Sequence, residues 1–421
     1  MKRKIYTMPQ FLQERFDGRV KTTMAIFWLA VYVFVNLTAV LWLGALAINT
    51  ITGLDLTICM ILLAVLSLAY SLYGGLKAVA FTDIIQVVLL IAGGLFLSYM
   101  SLSLIGDGQG LLAGFDRLTS ELPEKFDMIL SADSPHYVNL PGLSVLLGGL
   151  WVMNLSYWGF NQYIIQRTLA AKDLAEAQKG IAFAAFLKLL MPVIVVLPGI
   201  AAVLLLPELS KPDQAYPELM NLMPTGLKGL IFAALVAAIL SSLASMTNSV
   251  ATIFTMDLYK PIKSDKSQSH YVLVGRVVSV IALIIALLTA KPLLGDFDQA
   301  FQYIQEFTGF FTPGIVVLFL LGMFWKRTTA NAALAATIGS AVFSVAAKIL
   351  IPEVPFMDRV GYVFLSCLAL AVVVTLMQKE SKNAHPNAVQ LDDVNFTTQK
   401  SFNISALLIT LILIAFYTVW W

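Results

Sequence analysis

Long apolar stretches of this chain contain a few polar side chains whose types and spacing could do chemistry. Asn154 and Trp158 are four residues apart, so on a helix they share a face. Tyr157 lies beside them. An amide next to aromatic rings suits a neutral polyol: the amide bonds hydroxyls while a ring covers the apolar face. Lys188 sits about two turns, roughly 11 Å of rise, inside another apolar run. There it is either a donor to a polar substrate or a lysine snorkelling to the interface. Phe301 and Gln305 repeat the four-residue spacing, and Gly309, Pro313 and Gly314 follow, a pattern that predicts a kinked or broken helix. Ala238, Ser241 and Ser242 stand at i, i+3 and i+4. One carbonyl and two hydroxyls on one face offer neutral oxygens to a hard monovalent cation such as Na⁺. Asp83 opens a further run, either as a helix cap or as an anionic way-station for a departing cation. The same residues also fit a plainer reading, in which small and polar side chains glue helices together.

Other chemistries are disfavoured. No nucleophile–base pair lies in the apolar runs, so an enzyme is not expected. His136, His270 and His385 fall in or beside polar loops without ligand spacing. Cys59 and Cys367 are both embedded in apolar sequence, which argues against a disulfide framework or a metal site. A net charge of +2 gives no basis for binding nucleic acid.

The elements that must position these groups are set by the solvent. Hydrophobic residues make up 59% of the chain and charged residues 12%, half the charged share of a usual soluble domain. Mean hydropathy is +0.82. About 20 apolar residues cross a bilayer as a helix, and eleven segments qualify: 22–48, 55–74, 82–105, 142–166, 178–206, 227–257, 271–292, 299–325, 330–351, 359–378 and 402–421. Helices are required because backbone amides in lipid need partners within their own segment. The fold class expected is therefore all-α, a polytopic transmembrane bundle forming a single membrane domain over 1–421.

Lys and Arg in alternate connections set the orientation. One side carries Lys2, Arg3, Lys4, Arg15, Arg19, Lys21, Lys77, Arg167, Lys172, Lys179, Lys260, Lys263, Lys266, Lys326, Arg327, Lys379, Lys382 and Lys400. The other carries only Arg117, Lys125, Lys211, Lys228, Lys291 and Arg359. The N-terminus is thus expected in the cytoplasm and Trp421 outside, in a bacterial cytoplasmic membrane. Lipid is the expected surrounding partner, and a homo-oligomer stays open.

Five motifs go further than composition. Gly74-Gly75 with Thr82-Asp83 and Gln86, the run Trp158 to Arg167, the serine-rich segment ending Phe254 to Tyr259, Phe301 to Gly309, and Gly322 to Arg327 resemble the sodium:solute symporter family, most closely its bacterial sodium/sugar (galactose or glucose) branch. The resemblance extends over essentially the whole chain. It implies a LeuT-like inverted repeat with substrate between broken helices at the midplane. On that scheme 1–166 holds the rest of the first repeat and the start of the second, 142–325 the second repeat, and 330–421 peripheral helices. It also implies roles. Asn154, Lys188 and Gln305 would contact the sugar, with Tyr157 and Trp158 at an inner gate supported by Asn36. Phe301 would belong to an outer gate. Ala238, Ser241 and Ser242 would hold Na⁺, with Asp83 on its exit path. Ala332 and Ser156 depart from the family pattern, which usually has glycine at the first and a second tyrosine at the other. Family members of this branch begin with three helices that would precede Met1. The expectation is an N-terminally incomplete bundle that, lacking further Na⁺ and sugar ligands, does not transport alone. The function implied is sodium-coupled sugar symport. The alternatives are symport of sialic acid, proline or pantothenate, or a non-transporting truncated product.

Overall fold

The computed structural model describes residues 7–134, 136–138, 142–295, 299–378, 383, 385–390 and 396–421, except for the side chains of 72–82, 163, 166 and 167. Among the described residues the chain is helical and forms no strand. A short α1 (Met8–Arg15) precedes α2 (Gly18–Thr52), α3 (Leu56–Ile105) and α4 (Leu111–Glu121). Then come α5 (Leu143–Leu147), α6 (Gly149–Leu155) and α7 (Gln162–Leu169), with a π-turn at Ser156–Phe160 before α7. The chain continues through α8 (Leu174–Leu205), α9 (Ala215–Asn221), α10 (Thr225–Ile262), α11 (Gln268–Leu294), α12 (Ala300–Gly309) and α13 (Thr312–Phe324). It ends with α14 (Ala330–Leu350), α15 (Phe356–Met377) and α16 (Lys400–Val419).

All eleven apolar segments of the sequence are helical, but by length and composition eight described helices can cross a membrane unbroken, or nine when α12 and α13 count as one span. The differences have local causes. Segment 142–166 is broken at Gly148 and again after Phe160, where Asn161 is extended. Segment 299–325 bends by 45° between α12 and α13, where its glycines and proline predict a kink.

Segments 55–74 and 82–105 both fall within α3, yet its two ends run in opposite directions along α10. A methyl placed on Gly44 would lie 2.8 Å from Ile239 and 2.9 Å from Leu63, and Ser71 Oγ donates to Asn248 Oδ1 at 2.9 Å. This end therefore advances toward the C-terminus of α10. Asp83 meets Ser241 and Gly93 packs on Ile231, so the other end retreats. Two crossings fit a hydrocarbon core of about 30 Å, whereas 50 residues in line would measure about 75 Å.

α2 forms the centre, with 61% of its apolar window buried, against 6% for α8 and 0% for α16. The latter two pack little of their surface against the rest of the bundle. Irregular backbone is satisfied from side chains, as a lipid environment demands. In the π-turn Val31–Leu37, Thr38 Oγ1 donates to Val33 O at 2.7 Å. At the α12–α13 break, Ser340 Oγ donates to Phe310 O at 2.9 Å and accepts from the Gly314 N–H at 3.0 Å. Ser344 Oγ donates to the same carbonyl at 3.3 Å. Gly149 lets α6 touch α15 directly, since a Cβ there would sit 1.9 Å from Met357 O.

The chain start is tied to one end of the bundle. Arg15 is fully buried; its Nε donates to Gly322 O at 2.7 Å and its Nη2 to Trp325 O at 3.1 Å. Burial lowers the guanidinium to about 10, which leaves it charged at neutral pH. Asp257 accepts from Thr7 Oγ1 at 3.2 Å and lies 3.5 Å from Lys21 Nζ. On the same side the His385 N–H donates to Lys326 O at 2.8 Å. At the opposite end the Met128 N–H donates to Trp420 O at 2.9 Å.

Candidate functional site

α6 and its π-turn, α8, α10, α16 and the second part of α3 enclose a cavity of about 1530 Å³, larger than the roughly 300–1,000 Å³ of a common small-molecule pocket. Eight of the residues expected from the sequence line it: Asp83, Asn154, Tyr157, Trp158, Lys188, Ala238, Ser241 and Ser242. They come from four separate stretches of chain, and the fold brings them to one space.

Each is held by its local helix. The interrupted segment at 149–160 turns Asn154, Tyr157 and Trp158 to the same side. Asn154 Nδ2 donates to Leu150 O at 2.9 Å, one turn back, which leaves its Oδ1 for other donors. Tyr157 and Trp158 meet edge to face, with centroids 5.0 Å apart at 82°. Lys188 Nζ stands 4.5 Å from the centre of the Trp158 ring. An ammonium over an indole face is attracted by the ring quadrupole, which ties Lys188 to the Trp158 wall of the cavity. Its ammonium carries three N–H donors on the cavity lining.

The ion-type ligands form a second group. The i, i+3, i+4 spacing of Ala238, Ser241 and Ser242 does put them on one cavity-facing strip of α10. Ser241 is buried and its Oγ donates to Asp83 Oδ1. A serine hydroxyl has one proton and two lone pairs. Donation to a carboxylate therefore leaves oxygen lone pairs for a cation and makes that oxygen more negative. Asp83 begins the second crossing within α3 and accepts from Ser241 of α10.

Three expected residues stand apart. Gln305 and Phe301 are on α12, and Asn36 is half-buried in the π-turn of α2; none of them lines this cavity. Phe301 is exposed. The polar links made by that π-turn come instead from residues that sequence reasoning did not single out. Tyr32 OH donates to Asn161 Oδ1 at 2.7 Å and accepts from the Gln162 N–H at 3.1 Å, while Tyr303 OH donates to Phe34 O at 2.7 Å. Also unforeseen is α16, placed among peripheral helices by the sequence, which closes one flank of the cavity with Leu413, Phe416 and Tyr417. The Phe416–Tyr417 pair near the end of this helix is the signal the sequence offers for it.

The sodium:solute symporter family model matches residues 1–339. The sodium/glucose cotransporter of Vibrio parahaemolyticus is 48% identical over 435 residues, covering 99% of this chain and 80% of that protein. The human sodium/myo-inositol cotransporter 2 is 34% identical over 357 residues, covering 78% of this chain and 53% of its own length. Among solved structures, a Na⁺-coupled sialic acid symporter in a substrate-bound outward-open state superposes with a TM-score of 0.74 at 23% identity, covering 90% of this chain and 78% of that one.

Proposed function

This chain belongs to the sodium:solute symporter family, and from that premise we propose that it couples Na⁺ entry to sugar uptake, glucose or galactose, across a bacterial cytoplasmic membrane. It is a multi-pass, LeuT-like membrane transporter and not an enzyme, and Na⁺ is the coupling ion. The observation that carries the sugar reading is the cavity itself. Asn154, Trp158 and Lys188 supply amide, ring and ammonium on one wall. Ala238, Ser241 and Ser242 supply neutral oxygens on another. A neutral polyol fits better than an acid, because the Asp83 carboxylate faces the same space. In this reading Asn154 and Lys188 bond hydroxyls and Tyr157 with Trp158 covers the ring. Gln305 on α12 joins them in the sugar-bound state, with Phe301 at the outer entrance. Asp83 draws the ion inward through Ser241, and the N-terminus lies in the cytoplasm with Trp421 outside.

The energetics are sufficient. At about 150 mV one charge releases about 3.5 kcal/mol, and a tenfold Na⁺ gradient adds about 1.4 kcal/mol. Together they sustain roughly 10³–10⁴-fold accumulation at one-to-one coupling. Na⁺ couples by favouring the sugar-competent state over its alternative.

The test is uptake of labelled glucose and galactose by cells lacking their own sugar transport and expressing the protein from its native gene, with sialic acid, proline and myo-inositol as parallel substrates. Sugar accumulation that needs a Na⁺ gradient and collapses with a Na⁺ ionophore is expected. Uptake of an acid or amino acid in place of sugar, or no Na⁺-driven uptake, refutes the proposal.

A further inference from the structure

Outside the cavity, Glu306 sits where two positive side chains from two other helices converge. We propose that Glu306, gripped by Lys348 and Arg359, is the positioning residue that holds the half-helix α12 against α14 and α15 and sets how readily it swings about the Phe310–Phe311 break. Its bearing on sugar entry rests on the symport reading; the latch itself does not.

The break is built as a pivot. α12 is a ten-residue helix bent by 45° from α13. The carbonyl and N–H freed there are met by Ser340 and Ser344 from α14. Across the break the Phe311 N–H reaches Thr308 O at 3.2 Å and Thr312 Oγ1 donates to the same carbonyl at 2.9 Å, so α12 hangs from α13 by a few bonds at one carbonyl, and its angle depends as well on what grips its sides. On its inner face Tyr303 OH bonds Phe34 O at 2.7 Å. At its first turn the Ala300 N–H donates to Asp213 Oδ2 at 2.9 Å, from the loop before α9. On its outer flank Glu306 Oε1 lies 2.9 Å from Lys348 Nζ at the end of α14 and 3.5 Å from Arg359 Nη2 at the start of α15. Lys348 Nζ also stands 5.1 Å from the centre of the Phe307 ring.

The three attachments differ in kind. Those of Tyr303 and Asp213 are single neutral or backbone bonds. The Glu306 cluster is ionic, and one carboxylate oxygen serves two cations that would repel each other without it. It is also reachable by solvent, since the Lys348 side chain is 42% exposed while those of Glu306 and Arg359 are 18% and 13% exposed. A partly hydrated ion cluster is the attachment that can open and re-form without unfolding the helix. Phe301, 62% exposed, rides on the same ten residues.

Hydrogen exchange in lipid nanodiscs tests this. Glu306→Gln is expected to speed exchange over 300–309 by about twofold to fivefold, the upper part of the range of a partly exposed ion pair, and to leave 312–324 unchanged. In the unaltered protein, raising KCl from about 0.05 to about 0.5 M shortens the screening length and speeds exchange over 300–309, while Glu306→Gln no longer responds to salt. Exchanging the charges, Glu306→Lys with Lys348→Glu, restores slow exchange. The proposal is overturned if Glu306→Gln exchanges at the original rate. It is equally overturned if α13 and α14 loosen with α12, or if the exchanged pair keeps its thermal midpoint but stays fast. Sodium-driven uptake is read on the same samples. Absence of uptake in the unaltered protein sinks the symport reading and leaves the exchange result to decide the latch.

Discussion

Replacing Lys21 by Met should destabilise the protein far more than a surface change would, because of what it strands. The Asp257 side chain is 0% exposed and Lys21 8% exposed, with 3.5 Å between Nζ and Oδ1. At that distance two unit charges attract by about 5 kcal/mol at an effective dielectric of 20. Thr7 adds one hydrogen bond to the same oxygen, and Oδ2 is buried with no bonding partner. Lys21→Met keeps the stem and removes the charge, which leaves a buried carboxylate with a single hydroxyl donor. Breaking a buried pair from one side costs about 3–5 kcal/mol. Asp257→Asn should cost less, about 1–3 kcal/mol, because Lys21 keeps the Gln13 amide at 2.8 Å. In the double variant neither charge is stranded, so its loss should fall short of the sum by about 2 kcal/mol or more. Equilibrium unfolding in mixed micelles measures all three. Additive losses, or a Lys21→Met cost under about 1 kcal/mol, would mean that the pair carries no coupling and that Asp257 is relieved in some other way.

The cavity and topology give three more expectations. Ser241→Ala and Ser242→Ala together should raise the Na⁺ concentration for half-maximal uptake at least tenfold while sugar preference stays put; unchanged Na⁺ dependence would remove α10 from the ion site. Lys188→Met should weaken sugar binding by about 1–3 kcal/mol, the loss of charged hydrogen bonds, with normal expression. Intact transport in that variant would leave Lys188 only its contact with Trp158. A single cysteine at position 120 should react with a membrane-impermeant maleimide from outside and one at 265 should not, with a silent background because Cys59 and Cys367 are buried; the reverse pattern would invert the orientation.

Helix existence was legible because lipid makes it a matter of composition: each apolar segment had to be helical, and each is. The kink after Gly309 was legible too, from residues that weaken a helix locally. The cavity strip Ala238, Ser241 and Ser242 follows from helical period alone. What hydropathy hides is interruption without loss of apolar character. Segment 142–166 reads as one span, yet it breaks at Gly148 and Asn161. Partnerships across the sequence were not legible either. Arg15 with Gly322 and Trp325, Lys21 with Asp257, and Glu306 with Lys348 and Arg359 join residues far apart in the chain. Periodicity carries no information about such pairs. The position of Gln305 away from Asn154 belongs to the same class, since it depends on the angle of α12.

The contact at Gly149 has a mechanical consequence. A Cβ on Gly149 would sit 1.9 Å from Met357 O and one on Gly361 would sit 3.3 Å from Gly149 N, so α6 and α15 meet backbone to backbone, leaving no side-chain cushion to absorb sliding. Asn154 lies on α6 and Arg359 on α15, so the wall that would feel a sugar and the cation that grips Glu306 are parts of one stiff beam. A shift of the cavity wall by even an ångström would be delivered undamped to the flank of α12, the half-helix that turns about the Phe310–Phe311 break.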